Sequence, residues 1–118
     1  MTFSISYAKG TENWVMSHEG ARLEFAFGPG NRCEIIDIEV PAEGRRKGVG
    51  RKMVDELCQM CKRRNVAVVY AITRHSNRIA QKFYESMRFD VSVLRDFYEP
   101  GVQAVDALLY SRSPIGPV

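Results

Sequence analysis

The run "VAVVYAI" at 66–72 limits what this chain can fold into more than any other stretch. It is unbroken, apolar, of strand length and rich in β-branched residues, the pattern of a strand covered on both faces. Upstream, "CEIIDIEV" (33–40) reads as a second strand. Between the two, Val49, Met53, Val54, Leu57, Met60 and Cys61 fall at the spacing of a helix with one buried face. Strand, helix, strand in that order is a parallel crossover, because parallel neighbours need a long connection and a helix supplies it. The helix is expected to end in "KRRN", where Lys62, Arg63 and Arg64 complement the negative end of its dipole.

The flanks make the sheet mixed. "TFSISYA" alternates, "NWVMSH" and "ARLEFAF" are short β-prone runs, and "KG", "EG" and "GPGN" separate them as tight turns between antiparallel strands. Ile79, Ala80, Phe83, Tyr84 and Met87 mark a second helix. "FDVSVLRDFY" and "AVDALLYS" then close the chain as a hairpin around "EPGV", with Pro100 and Gly101 suited to a type II turn. The expectation is an α/β domain on a mixed sheet.

Composition narrows the function. The chain has 118 residues, 45% of them apolar, and no internal repeat or linker, which suits one compact domain over 1–118. A net charge of +3, diluted by fourteen acids, favours an anionic small ligand, phosphate above all, over nucleic acid. Three cysteines and an N-terminus without the apolar core of a signal peptide point to the cytoplasm and reduced thiols. No window approaches the roughly 20 apolar residues of a membrane helix, so no membrane partner is expected. Cys58-x-x-Cys61 lies inside a helix with no second pair or spaced His, which reads as core and not zinc; no metal is expected. Trp14 and Met16 read as sheet packing, and His75 as solvent-facing.

"EGRRKGVGRKM" (43–53) joins the first crossover strand to the helix and combines five cations with three glycines. Free amides and the positive dipole end make a helix start an anion site, and glycines let a phosphate approach the backbone. The stretch is not a Walker A loop: Gly44 to Gly48 is one residue short, and Lys52 lacks the preceding Gly and the following Ser or Thr. Nor is it the dinucleotide fingerprint, since Met53 stands where a third glycine belongs. From Arg45 it does match R-x-x-G-x-G.

That match, after a strand ending in Val40, resembles the acetyl-CoA signature of the GNAT N-acetyltransferases. "NRIAQKFYESMRF" (77–89) resembles the family's other signature, with Asn77, Ala80, Phe83, Tyr84 and Phe89 in place and Arg88 where glycine is usual. The resemblance implies a GNAT acyltransferase-like fold and transfer of acetyl from acetyl-CoA to a primary amine. It puts the pyrophosphate on Arg45, Arg46, Lys47, Gly48, Val49, Gly50 and Arg51, and the pantetheine arm against Ile38, Glu39 and Val40. By the same resemblance the two parallel strands would separate there, at their C-terminal ends, where open α/β sheets bind ligands. Asn77 and Phe83 would also contact acetyl-CoA, although Asn77 or Ser76 would serve equally as the cap of the second helix.

Two proton events are needed: the amine must lose a proton before it attacks, and the departing thiolate must gain one. By resemblance Tyr84 is the general acid; its alternative is a core aromatic beside Phe83. Backbone N–H groups near Val40 would stabilise the oxyanion. For the base the strand offers Glu34, Asp37 and Glu39. Glu34 matches the place where histone acetyltransferases of this superfamily carry theirs. In a regular strand it shares a partly buried face with Ile36, Ile38 and Val40, while Asp37 and Glu39 face the other way. A bulge would shift that parity and bring Glu39 nearer the thioester. Pairing of Glu34 with Arg32 or a neighbouring strand, and an ordered water as the base, both stay open.

Relatives usually carry two helices before the antiparallel strands, and only about 32 residues precede Cys33 here. The resemblance therefore implies an N-terminally shortened member whose amine acceptor, small molecule or protein, is unreadable. It leaves two other readings: a non-catalytic acetyl-CoA-binding module, and a basic protein that binds nucleic acid through 45–52. The uncovered sheet edge would suit a homodimer.

Overall fold

A computed structural model describes residues 3–7, 10, 12–44, 47–74, 76–98 and 105–114. Seven strands form one sheet: β1 (Ser4–Tyr7), β2 (Trp14–His18), β3 (Ala21–Gly28), β4 (Arg32–Glu39), β5 (Val68–Arg74), β6 (Asp90–Tyr98) and β7 (Val105–Arg112). Their order is β1-β2-β3-β4-β5-β7-β6. Among the described residues only β4 and β5 run parallel, joined by α1 (Val49–Arg63); α2 (Arg78–Ser86) follows β5. The crossover and the mixed sheet expected from the sequence are both present. The turn at Pro100 and Gly101, and His75, lie outside the described residues.

The core occupies one face of the sheet. Buried partners run across it in register, from Met16 and Leu23 through Phe25, Ile35 and Ala71 to Tyr110. On that face α1 buries Val49, Met53, Val54, Leu57, Cys58 and Cys61. α2 adds Tyr84, whose ring stacks on Tyr110 with centroids 5.6 Å apart. Among the described residues no helix covers the other face, so Val68, Tyr70 and Ile72 stay half-buried. This corrects the expectation that β5 is enclosed on both sides. An apolar run cannot distinguish Tyr70 from a core residue, yet its hydroxyl donates outward to Glu34 at 3.4 Å.

Both helices end in the same motif. At α1 the amides of Val66 and Asn65 bond to the carbonyls of Cys61 and Lys62, with Asn65 left-handed at φ 58°. At α2 the amides of Phe89 and Arg88 bond to the carbonyls of Tyr84 and Glu85, with Arg88 left-handed at φ 63°. Ending α1 this way commits Val66 to the cap, and Ala67 bonds to the Asn31 carbonyl. For that reason β5 starts at Val68, two residues later than the apolar run.

Candidate active site

Parallel pairing of β4 with β5 runs from Arg32↔Val68 to Ile35↔Ala71 and stops there, although β4 continues to Glu39 and β5 to Arg74. The cause is an extra residue in β4. Opposite β3, Phe25 pairs with Ile35 but Glu24 pairs with Asp37, so Ile36 is bulged, and a bulge bends its strand. A cleft of about 1060 Å³ opens between the diverging strands. β4 lines it with 35–40 and β5 with 71–74; Gly48, Gly50 and Arg51 close one end, and Asn77, Phe83 and Tyr84 of the α2 segment form a wall.

The end at α1 is built from backbone. Gly48 is the N-cap at φ 72°, left-handed, and no side chain caps the first turn. The early amides of α1 therefore lack the usual side-chain acceptor. A Cβ on Gly50 would sit 3.3 Å from Phe83 Cε1 and 3.4 Å from Val40 Cγ2, so glycine is what lets α1 approach β4 and α2 together. Lys47 and Arg51 are exposed, and Arg51 Nη2 donates to Ser86 Oγ at 3.1 Å. Val49 is buried, which leaves only its backbone for a ligand. Arg45 and Arg46 lie outside the described residues.

On the α2 wall, Asn77 Oδ1 accepts from the Ala80 amide at 3.1 Å, so the side chain caps the helix and lines the cleft at once. Phe83 packs edge-on to Tyr84, with centroids 5.3 Å apart. Tyr84 is 6% exposed, packed by Phe89 and Tyr110, and still lines the cleft. Burial, and secondly the Asp37 carboxylate, push its hydroxyl well above the usual phenol range. It is both a core aromatic and a protonated hydroxyl at the cleft.

The carboxylates are placed differently from the regular-strand expectation. Because of the bulge at Ile36, Asp37 and Glu39 pair with Glu24 and Arg22, while Ile38 pairs with buried Leu23. Ile38 therefore lies on the core face, and Asp37 and Glu39 join Glu34 on the open one. Glu34 is held at Tyr70 and is not among the residues lining the cleft; Asp37 and Glu39 are. Ile36 is 43% exposed at the cleft instead of sharing a buried face with Ile38.

Sequence reasoning passed over residues 71–74. Thr73 is buried and lines the cleft, and among the described residues its Oγ1 has no hydrogen-bond partner. A polar residue ending an apolar run was the available signal. The cysteines are core, as expected: all three are buried and free. Burial pushes the Cys58 thiol up to about 11, and the adjacent Cys61 sulfur, together with burial, raises Cys33.

A family model described as "Acetyltransferase (GNAT) family" matches residues 5–89. The [Ribosomal protein bS18]-alanine N-acetyltransferase of Escherichia coli strain K12 is 25% identical over 116 residues, 97% of this chain and 78% of that protein. Among solved structures, the ribosomal-protein-S18-alanine N-acetyltransferase from Escherichia coli superposes with a TM-score of 0.67 at 22% identity, over 95% of this chain and 74% of that one. A Bacillus subtilis acetyltransferase in complex with CoA gives 0.70 at 14% identity, over 95% and 99%. A family match over most of the chain, on a sheet that splits where the sequence put its cofactor signature, shows that this chain belongs to the GNAT family and is an acetyl-CoA-dependent N-acetyltransferase.

Proposed function

We propose that the chain, as a single cytoplasmic domain, moves the acetyl group of acetyl-CoA to a primary amine by direct attack in a ternary complex. The observation that carries this reading is one cleft with a glycine-built helix start at one end and a buried, protonated tyrosine on its wall. In it the pyrophosphate meets the amides of 48–51, with Lys47, Arg51 and the neighbouring Arg45 and Arg46 supplying charge. The pantetheine arm follows the backbone of 38–40, beside Phe83 and the Asn77 amide group. The neutral amine attacks the thioester carbon, an N–C bond forms, the C–S bond breaks and the thiolate takes the Tyr84 proton, while the proton that the nitrogen sheds on becoming an amide passes through water to restore the Tyr84 hydroxyl. Backbone N–H near Val40 receives the oxyanion. Glu34, held at Tyr70, has no step in this scheme.

The similar proteins named for alanine N-acetylation of a ribosomal protein make a peptide beginning with alanine the first acceptor to try. Calorimetry with acetyl-CoA, followed by thiol release over that peptide and an amine panel, tests the reading. Saturable binding with amine-dependent release is expected. Binding without release would make the chain a CoA-binding module, and salt-sensitive binding to duplex DNA without acetyl-CoA affinity would favour the nucleic-acid reading.

A further inference from the structure

Four carboxylates share the open face around the split, and two of them, Glu24 and Glu34, are held by neighbours. Glu24 accepts from Asn13 Nδ2 at 2.6 Å and from Arg22 Nη2 at 3.4 Å. Glu34 accepts from the Tyr70 hydroxyl. Glu39 also lines the cleft, but it lies across β3 from Arg22, whose guanidinium bonds to Glu24, and it stands farther than Asp37 from the last β4–β5 pair at Ile35. Asp37 is exposed, two residues beyond the last β4–β5 pair, and among the described residues no side chain hydrogen-bonds or ion-pairs with it. The bulge at Ile36 turns it to the cleft that Tyr84 also lines.

We propose that Asp37 is the specificity-determining anchor for the acceptor: its carboxylate holds the incoming amine as an ammonium ion beside Tyr84, so the enzyme selects acceptors that arrive positively charged. This rests on the acetyl-transfer reading above. An α-amino group, with a pKa of about 8, reaches the site mostly protonated at neutral pH, and an exposed carboxylate at the apex of the split is the group that would meet it. The ammonium must shed its proton to water before attack, so Asp37 acts through binding and orientation and takes no proton in the scheme. Both groups line the one cleft, and after burial it is the Asp37 charge that raises the Tyr84 hydroxyl.

The test compares two acceptors of one shape: an alanine-initiated peptide, cationic at neutral pH, and its amino-oxy counterpart, which is nucleophilic but neutral there. Asp37→Asn should raise KM for the amine by about tenfold or more, the worth of one hydrogen bond to a charged group, while kcat/KM for the amino-oxy acceptor changes by less than about twofold. Acetyl-CoA affinity should be unchanged, and Asp37→Glu should recover most of the amine KM. Equal losses on both acceptors, or an unaltered amine KM, would overturn the assignment while leaving acetyl transfer standing. A wild-type chain that releases no CoA with either acceptor would overturn the acetyl-transfer reading and Asp37 with it.

Discussion

The two ends of the cleft are made of different material. At the α1 end the shape is backbone: Gly48 in a left-handed cap, Gly50 pressed between Val40 and Phe83, and the uncapped first turn of the helix. At the apex it is side chain: Tyr84 packed against Phe89 and Tyr110, and Asp37 carried round by a single inserted residue. In the proposed scheme the first end would hold the ligand by backbone geometry that glycine favours, and the second would set the protonation of the groups that react. Variants at the two ends should therefore fail in different measurements.

The largest effect belongs to the apex. Tyr84→Phe should lower kcat by about a hundredfold or more, the usual worth of general acid catalysis, with acetyl-CoA affinity nearly intact. Because burial and the Asp37 charge raise the hydroxyl, the wild-type donor keeps its proton at alkaline pH. The fall of kcat from its ionisation should lie above pH ~10, and a pH–rate profile shows it. At the other end, Gly48→Val should weaken acetyl-CoA binding by about tenfold. A left-handed residue with a Cβ costs about 1–2 kcal/mol, and a β-branched side chain would pull the cap away from φ 72°. Calorimetry should register this with kcat at saturating acetyl-CoA little changed.

Gly50→Ala tests the joint between the ends. Its methyl would press on Phe83 and Val40, an overpacking expected to cost about 1 kcal/mol of stability in a denaturant melt. Arg88→Gly gives the smallest effect and the opposite sign. Relief of the left-handed arginine, offset by the greater chain entropy of glycine, should stabilise the fold by up to about 1 kcal/mol. Both kinetic constants should stay as they are.

This division also explains what the sequence could disclose. The α1 end was legible because its requirements are residue types at fixed spacing: Gly48, Gly50 and the surrounding cations name the conformation by themselves. Strand and helix order was legible from periodicity, and the α2 exit kept its hydrogen-bond pattern with arginine in the glycine position. The apex was not legible, because alternation along "CEIIDIEV" holds only for a regular strand, and one bulge at Ile36 exchanges the faces of everything after it. That is how Asp37 came to stand at the cleft, whereas Glu34, ahead of the bulge, keeps its regular place beside Tyr70 in the parallel ladder. The open face of β5 was hidden likewise, since Val68, Tyr70 and Ile72 look alike whether a helix covers them or not.

The central claim is that the split between β4 and β5 is where acetyl-CoA lies. Amide hydrogen exchange with and without acetyl-CoA reads this directly, residue by residue. The account predicts slowed exchange in 38–40 and 48–51, with β1 and β2 unchanged. Protection confined to β1 and β2, or saturable binding that leaves 38–40 and 48–51 exchanging at their free rates, would contradict it.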